Sequence, residues 1–218
     1  MPTRVVLDKS LEGIRDDLLR LSSMAMRSIS DCMKALIDRN ADLARQVSAN
    51  DAALNEVRYT IEENCYTLIA TQQPNATDLR MIVGAVSVAT NLERIGDHAA
   101  GIARLTLRMV DQPLLKPLVD IPQMAEIGRE MVQGAVDAFL ARDAALAERI
   151  VARDDDVDRL HDHVYRELLE FMTNDKSTIE RATYLLWVSH NLERIGDRAE
   201  NICERAIYAA TGELKEFQ

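Results

Sequence analysis

The chain has 218 residues, 47% of them apolar, with 26 Lys and Arg against 36 Asp and Glu, a formal net charge of −10. The acidic balance excludes nucleic acid as the main partner, because phosphate backbones are held by clustered Lys and Arg, and it disfavours adsorption to anionic lipid. Gly (8), Pro (5) and aromatic residues (4%) are scarce, which argues against an all-β fold built on aromatic and β-branched strands with frequent turns.

In chain order, Met1–Ser10 carries Arg4, Asp8 and Lys9 and no apolar run, so no signal peptide is visible. A first helix is predicted from about Lys9 to Arg39 and a second from about Ala41 to Ala70, with Asn40 or Asp42 as its cap. Pro74, Asn75 and Thr77 give a stop followed by a start, and a third helix runs from about Asn75 to Met109. Its nearly apolar stretch, Met81–Ala89, is too short to span a bilayer. The Pro-rich stretch from Pro113 through Pro117 to Pro122 reads as a linker. Three further helices are expected over about Pro122–Arg142, Asp143–Thr173 and Lys176–Thr211, with Ser177 or Thr178 capping the last and Gly212 ending it. Cys32, Cys65 and Cys203 are odd in number and widely spaced, as expected of reduced thiols in a cytoplasmic protein.

The chain is one unit written twice. Asn91–Ala103 reads NLERIGDHAAGIA and Asn191–Cys203 reads NLERIGDRAENIC, with nine of thirteen positions identical at an offset of 100. Upstream, Arg39–Asp51 resembles Arg142–Asp154 at an offset of 103, so the three-residue difference belongs in the turn between the blocks. Short connections between long helices force neighbours antiparallel. The expected fold is all-α: two tandem antiparallel three-helix bundles related by internal duplication, over 1–110 and 122–218, joined by a linker at 111–121.

On the third and sixth helices an apolar stripe turns anionic partway along, at Glu93 and Asp97 and again at Glu193 and Asp197. Each pair is spaced i,i+4, where like charges oppose an isolated helix by about 0.2–0.5 kcal/mol. Asp154 and Asp158 form the same spacing on the fifth helix, and the aligned positions on the second are Asp51 and Asn55. Counting residues from the turns brings these pairs level with the first set. Two readings stay open. One is an oxygen-rich cation site suited to Mg, Ca or Mn, or to Fe if His161 or His190 joins. The other is a solvated acidic ridge answered by Arg94, Arg104, Arg194 and Arg198. Gly96 and Gly196 sit mid-helix and point to close helix approach, or to room for an ion. Trp187, Cys32 and Cys65 are assigned to the core, and His161 and His163 to the solvated surface.

The paired ERIGD blocks, each followed by A-x-x-I, and the tail NICERAIYAATGE resemble the PhoU family across essentially the whole chain. The resemblance implies a cytoplasmic negative regulator linking a phosphate-specific ABC transporter ATPase to a sensor histidine kinase, touching the membrane only through its partners. It further implies metal bound through paired carboxylates, here Glu93 with Asp97, Glu193 with Asp197, Asp154 with Asp158, and Asp51 with Asn55. The neutral Asn55 departs from the pattern, so the first site is expected to be the weaker. The candidate ions are Mg, Mn, Ca, Fe or Zn. No Glu-x-x-His, G-x-S-x-G, H-E-x-x-H or phosphate-cradling Gly-rich loop is present, so no catalytic residue is assigned. The alternative is a metal-dependent oxidase or phosphohydrolase using the same carboxylates. A homodimer is expected, because helices with two apolar stripes can bury one against another bundle. Direct phosphate binding to so acidic a surface is expected only through a bridging cation.

Overall fold

The computed structural model describes residues 2–215 and 217, with side chains from Val5 onward. The outer limits of the two expected domains, at 1 and 218, lie outside the described residues. The chain forms α1 (Pro2–Asp38), α2 (Ala41–Gln72), α3 (Ala76–Met109), α4 (Asp120–Ala141), α5 (Ala144–Val151), α6 (Asp154–Asn174) and α7 (Ile179–Thr211), with a single 3₁₀ turn at Lys176–Thr178. Among the described residues there is no strand. Helices α1, α2 and α3 pack as one bundle and α4, α6 and α7 as a second, with α5 laid against α4 and α7. The bundles join through α3 against α7 and α1 against α4.

The same turn is built twice. Arg39 and Arg142, three residues apart from strict repetition by a hundred, both take left-handed backbone (φ 53° and 54°). The next residues, Asn40 and Asp143, then cap α2 and α5 by accepting from the backbone N–H of Leu43 and Leu146. Asn75 caps α3 by accepting from the N–H groups of Thr77 and Asp78. In the second copy Thr178 takes the N-cap position of α7 without a side-chain cap bond, and Asp175 caps the 3₁₀ turn before it by accepting the N–H of Ser177. The three-residue difference between the copies is taken up here, where residues 73–75 are replaced by Asp175 and the 3₁₀ turn. Gly212 ends α7 with φ 78°.

One predicted helix is broken. The span Asp143–Thr173 divides into α5 and α6 around Ala152 and Arg153, where the N–H of Arg153 turns back to Ile150 O (2.9 Å) and that of Asp156 to Arg153 O (3.0 Å). Two causes act together. Ile150 is driven against α4, where a Cβ on Gly134 would lie 2.4 Å from its Cδ1. Three consecutive carboxylates, Asp154–Asp156, then favour a fresh helix N-terminus over a helix interior, because the exposed N–H groups carry partial positive charge. Arg153 fastens the break through Asp156 (3.0 Å) and Glu130 of α4 (3.5 Å).

Helix α7 is covered by α3, α4, α5 and α6, and α3 by α1, α2 and α7. Their buried faces are rich in Ala and Gly, which lets backbones approach closely: Ala85, Ala89, Ala99 and Ala103 on α3, and Ala182, Ala199 and Ala206 on α7. Cys32, Cys65 and Cys203 are buried free thiols, and burial pushes Cys65 and Cys203 up to about 12. Trp187 lies outside the core, 54% exposed, with its ring edge-on to His190 at 5.7 Å. The i,i+3,i+4 stripe places it between two buried faces of α7, and the seam with α3 leaves that edge open.

Candidate metal centres

In the first copy α2 brings Asp51 to Glu93 and Asp97 of α3, with Asn55 half-buried one turn after Asp51. Burial, then the charge of Asp97, holds the Asp51 carboxyl above its ordinary value, and Arg104 works against them. Burial and Asp97 raise Glu93 as well, opposed by Arg58 and Arg94. The Arg58 side chain is only 14% exposed and is tied to Glu62 at 2.5 Å. This cluster therefore contains protein cations of its own. One carboxylate oxygen, Asp51 Oδ1, is buried without a hydrogen-bond partner.

The second copy gathers more negative charge. Asp154 opens α6 and meets Asp158, Glu200, Asp197 and Glu193, whose combined field adds to burial and pushes its carboxyl up to about 7. Burial, followed by Asp197, raises Asp158 and Glu193 too. Glu200 is raised by burial, then by Glu204, Asp197 and Asp158. Arg194 answers one of these carboxylates, Asp197, at 2.6 Å. Glu193 Oε2 is buried and lacks a hydrogen bond, with His190 Nδ1 3.3 Å away in poor alignment.

His161 is not a solvated surface residue. It is half-buried, and its Nδ1 lies 2.6 Å from Oγ of Ser189, a fully buried hydroxyl that itself donates to Met124 Sδ at 3.8 Å. The 2.6 Å contact ties the His161 imidazole to the Ser189 hydroxyl. His163 is exposed, as expected, and pairs with Asp120 at 3.0 Å.

The glycines divide the two expectations between them. A Cβ on Gly96 would lie 2.5 Å from Leu54 Cδ2, so Gly96 serves close helix approach. A Cβ on Gly196 would lie 2.5 Å from Asp154 Oδ1, so Gly196 makes room for a carboxylate.

Sequence reasoning missed two groups. Glu200 stands where the first copy has Ala100, a mismatch visible within the repeated block. Asp120, His163 and Glu167 bring ligand atoms within 4.8 Å of one another, and among the described residues no three atoms of the expected ligands come as close. Lys116 already occupies Glu167, and His163 occupies Asp120. The donor set of the second cluster, four or five carboxylates with an orphaned buried oxygen and a nearby imidazole, fits a hard or borderline ion.

Tandem helical bundles carrying paired carboxylate clusters, with no nucleophile or base constellation among the motifs, define an all-α scaffold of duplicated three-helix units. The PhoU domain pattern matches twice, at 18–106 and 121–206. The chain is 38% identical over 211 residues to a Clostridium acetobutylicum protein named phosphate-specific transport system accessory protein PhoU homolog, covering 96% of each. It is 36% identical to the Pseudomonas aeruginosa protein of the same name, covering 93% of this chain and 84% of that one. The crystal structure of PhoU from Pseudomonas aeruginosa superposes with a TM-score of 0.90 at 35% identity, covering 94% of this chain and 99% of that one. The phosphate transport system regulatory protein PhoU from Streptococcus pneumoniae gives 0.89 at 29% identity, covering 97% and 100%. This chain belongs to the PhoU family.

Proposed function

We propose that this chain regulates a phosphate-specific transport system as a non-enzymatic docking protein, and that a metal ion bound at the second carboxylate cluster tunes its surface. The observation that carries the regulatory reading is family membership along nearly the whole chain, with relatives named as accessory proteins of that system. No helix of the described residues is long and apolar enough to cross a membrane. The adaptor reading adds two partners on the cytoplasmic side, the transporter's ATPase subunit and a sensor histidine kinase. Self-association as a dimer belongs to the same reading.

The metal's chemistry is charge neutralisation. Asp154, Asp158, Glu193 and Asp197 would hold it, with Glu200 and His161 beside them, and an ion there would offset their negative charge. Asp51, Asn55, Glu93 and Asp97 form the weaker site.

The test uses the purified chain and the ATPase subunit of the same organism's phosphate transporter. Surface plasmon resonance is expected to give saturable binding, with no oxygen uptake or phosphoester hydrolysis by the chain in the presence of Mn or Mg. Absence of binding to both the ATPase and the kinase, with metal-dependent turnover lost in Glu193→Ala, would replace this reading by the enzymatic one.

A further inference from the structure

Trp187 is the chain's only tryptophan, and its indole stands 54% exposed although α7 is packed on most sides. It lines a groove of about 360 Å³ where α7 lies along α3. Gly101 of α3 keeps the floor low, since a Cβ there would lie 3.0 Å from Asn191 Oδ1, and Asn191 is held by its donation to Trp187 O. Leu105 and the ring of Tyr184 complete the apolar walls, with the Tyr184 hydroxyl tied to Glu180 at 3.0 Å. The charged residues of the lining are Arg104 and Arg108, one turn apart on α3.

This patch is not a by-product of the duplicated packing. At the aligned positions the other copy has Glu204 for Arg104, Arg205 for Leu105, Tyr208 for Arg108 and Ser87 for Trp187, so the matching end of the seam lacks the indole and reverses a charge. Arg104 is shared with the first carboxylate cluster, where it acts against Asp51, whereas Arg108 makes no hydrogen bond or ion pair among the described residues. The indole N–H of Trp187 likewise donates no hydrogen bond within that set. Aromatic and arginine side chains exposed side by side are what protein interfaces use as anchors. A rigid ring buries much area at small entropic cost, and a guanidinium grips a carboxylate through two parallel bonds. On a chain of net charge −10, a groove whose charges are both positive selects an acidic segment as its occupant.

We propose that this groove docks a partner protein through an acidic segment, with an apolar side chain of that segment entering between Leu105 and Trp187 and its carboxylates meeting Arg108 and Arg104. The inference rests on the docking-protein reading and gives it a surface. It does not require the metal.

The test measures binding of the full chain to the transporter's ATPase subunit and to the sensor kinase by surface plasmon resonance. Beside it runs a fluorescence titration with a tryptophan-free helical peptide carrying Glu at i and i+4 and Leu at i+3. Because Trp187 is the only tryptophan, its emission reports on the groove alone. The peptide is expected to shift that emission to shorter wavelength, an effect that added salt weakens and that the Gln counterpart of the peptide fails to produce. Trp187→Ala and Arg108→Glu are each expected to weaken partner binding about tenfold or more, whereas Tyr66→Ala, which removes a similarly exposed ring on α2, leaves it unchanged. Both groove side chains are exposed, and thermal melts check that the variants fold. Partner binding that survives both groove substitutions, or that falls equally in Tyr66→Ala, overturns the groove and leaves the docking-protein reading standing. No binding of either partner by the unaltered chain fails that reading, and the peptide then decides the groove by itself: an unmoved Trp187 emission overturns it. A dimer in sedimentation that Trp187→Ala dissolves overturns the acidic partner in favour of a second copy of the chain.

Discussion

The two carboxylate clusters descend from one unit, yet they balance their charge in opposite ways. Aligned positions exchange Asn55 for Asp158, Arg58 for His161, Thr90 for His190, Ala100 for Glu200 and Arg104 for Glu204. Four of these exchanges add a carboxylate or remove an arginine, and two introduce imidazole, the exchange of Arg58 for His161 doing both. In the first cluster Arg104 and Arg58 work against the burial and carboxylate charge that raise Asp51 and Glu93. The second leaves Asp154 under the combined field of four carboxylates. Duplication thus kept the geometry while the charge balance diverged, and the metal reading proposed above falls on the second of the two.

The largest effect that would break this comparison is on metal affinity. Asp154→Ala is expected to lower it by more than about a hundredfold, beyond the 10–100-fold typical of outer-shell changes, while Asp51→Ala leaves total metal content nearly unchanged. Elemental analysis and calorimetry of the two variants decide it, and equal losses would end the distinction. A smaller effect separates the glycines. Gly96→Ala presses on buried Leu54, and overpacking of about 1–3 kcal/mol less about 1 kcal/mol of helix propensity leaves a net loss of about 1 kcal/mol. Gly196→Ala presses on the Asp154 carboxylate instead, so metal affinity falls while stability hardly moves. Denaturant melts with and without metal read both. A further effect is on pH dependence. Between the ordinary aspartate range near 3.8 and about 7, the folded protein keeps a proton on Asp154 that the unfolded chain has released. Stability of the metal-free chain therefore declines as pH rises through that window. Saturating metal displaces the proton and abolishes the decline, and melting temperatures across the window show whether it does.

Much of this was legible in the residues. Nine identities in thirteen at Asn91–Ala103 and Asn191–Cys203 announced the duplication, and Asn40, Asn75 and Gly212 announced the helix ends. The break before Asp154 was not, because Ala152 and Arg153 are good helix formers and the preference for a new N-terminus comes from three carboxylates acting together. His161 was misplaced because its environment comes from Ser189 on another helix, which spacing along α6 cannot reveal. Trp187 was misplaced because α7 is packed on most sides, and a helix so covered has no single apolar stripe to read.

The interruption between α5 and α6 has a mechanical consequence. Helix α2 is an unbroken rod of 32 residues, about 48 Å at about 1.5 Å per residue, with Asp51 partway along it. A displacement at Asp51 is carried stiffly in both directions. Asp154 instead heads its own rod, so movement there is transmitted one way, along α6 toward Asn174, and α5 stays anchored on α4. Filling or emptying the second cluster would thus tilt one end of its bundle and leave the other at rest.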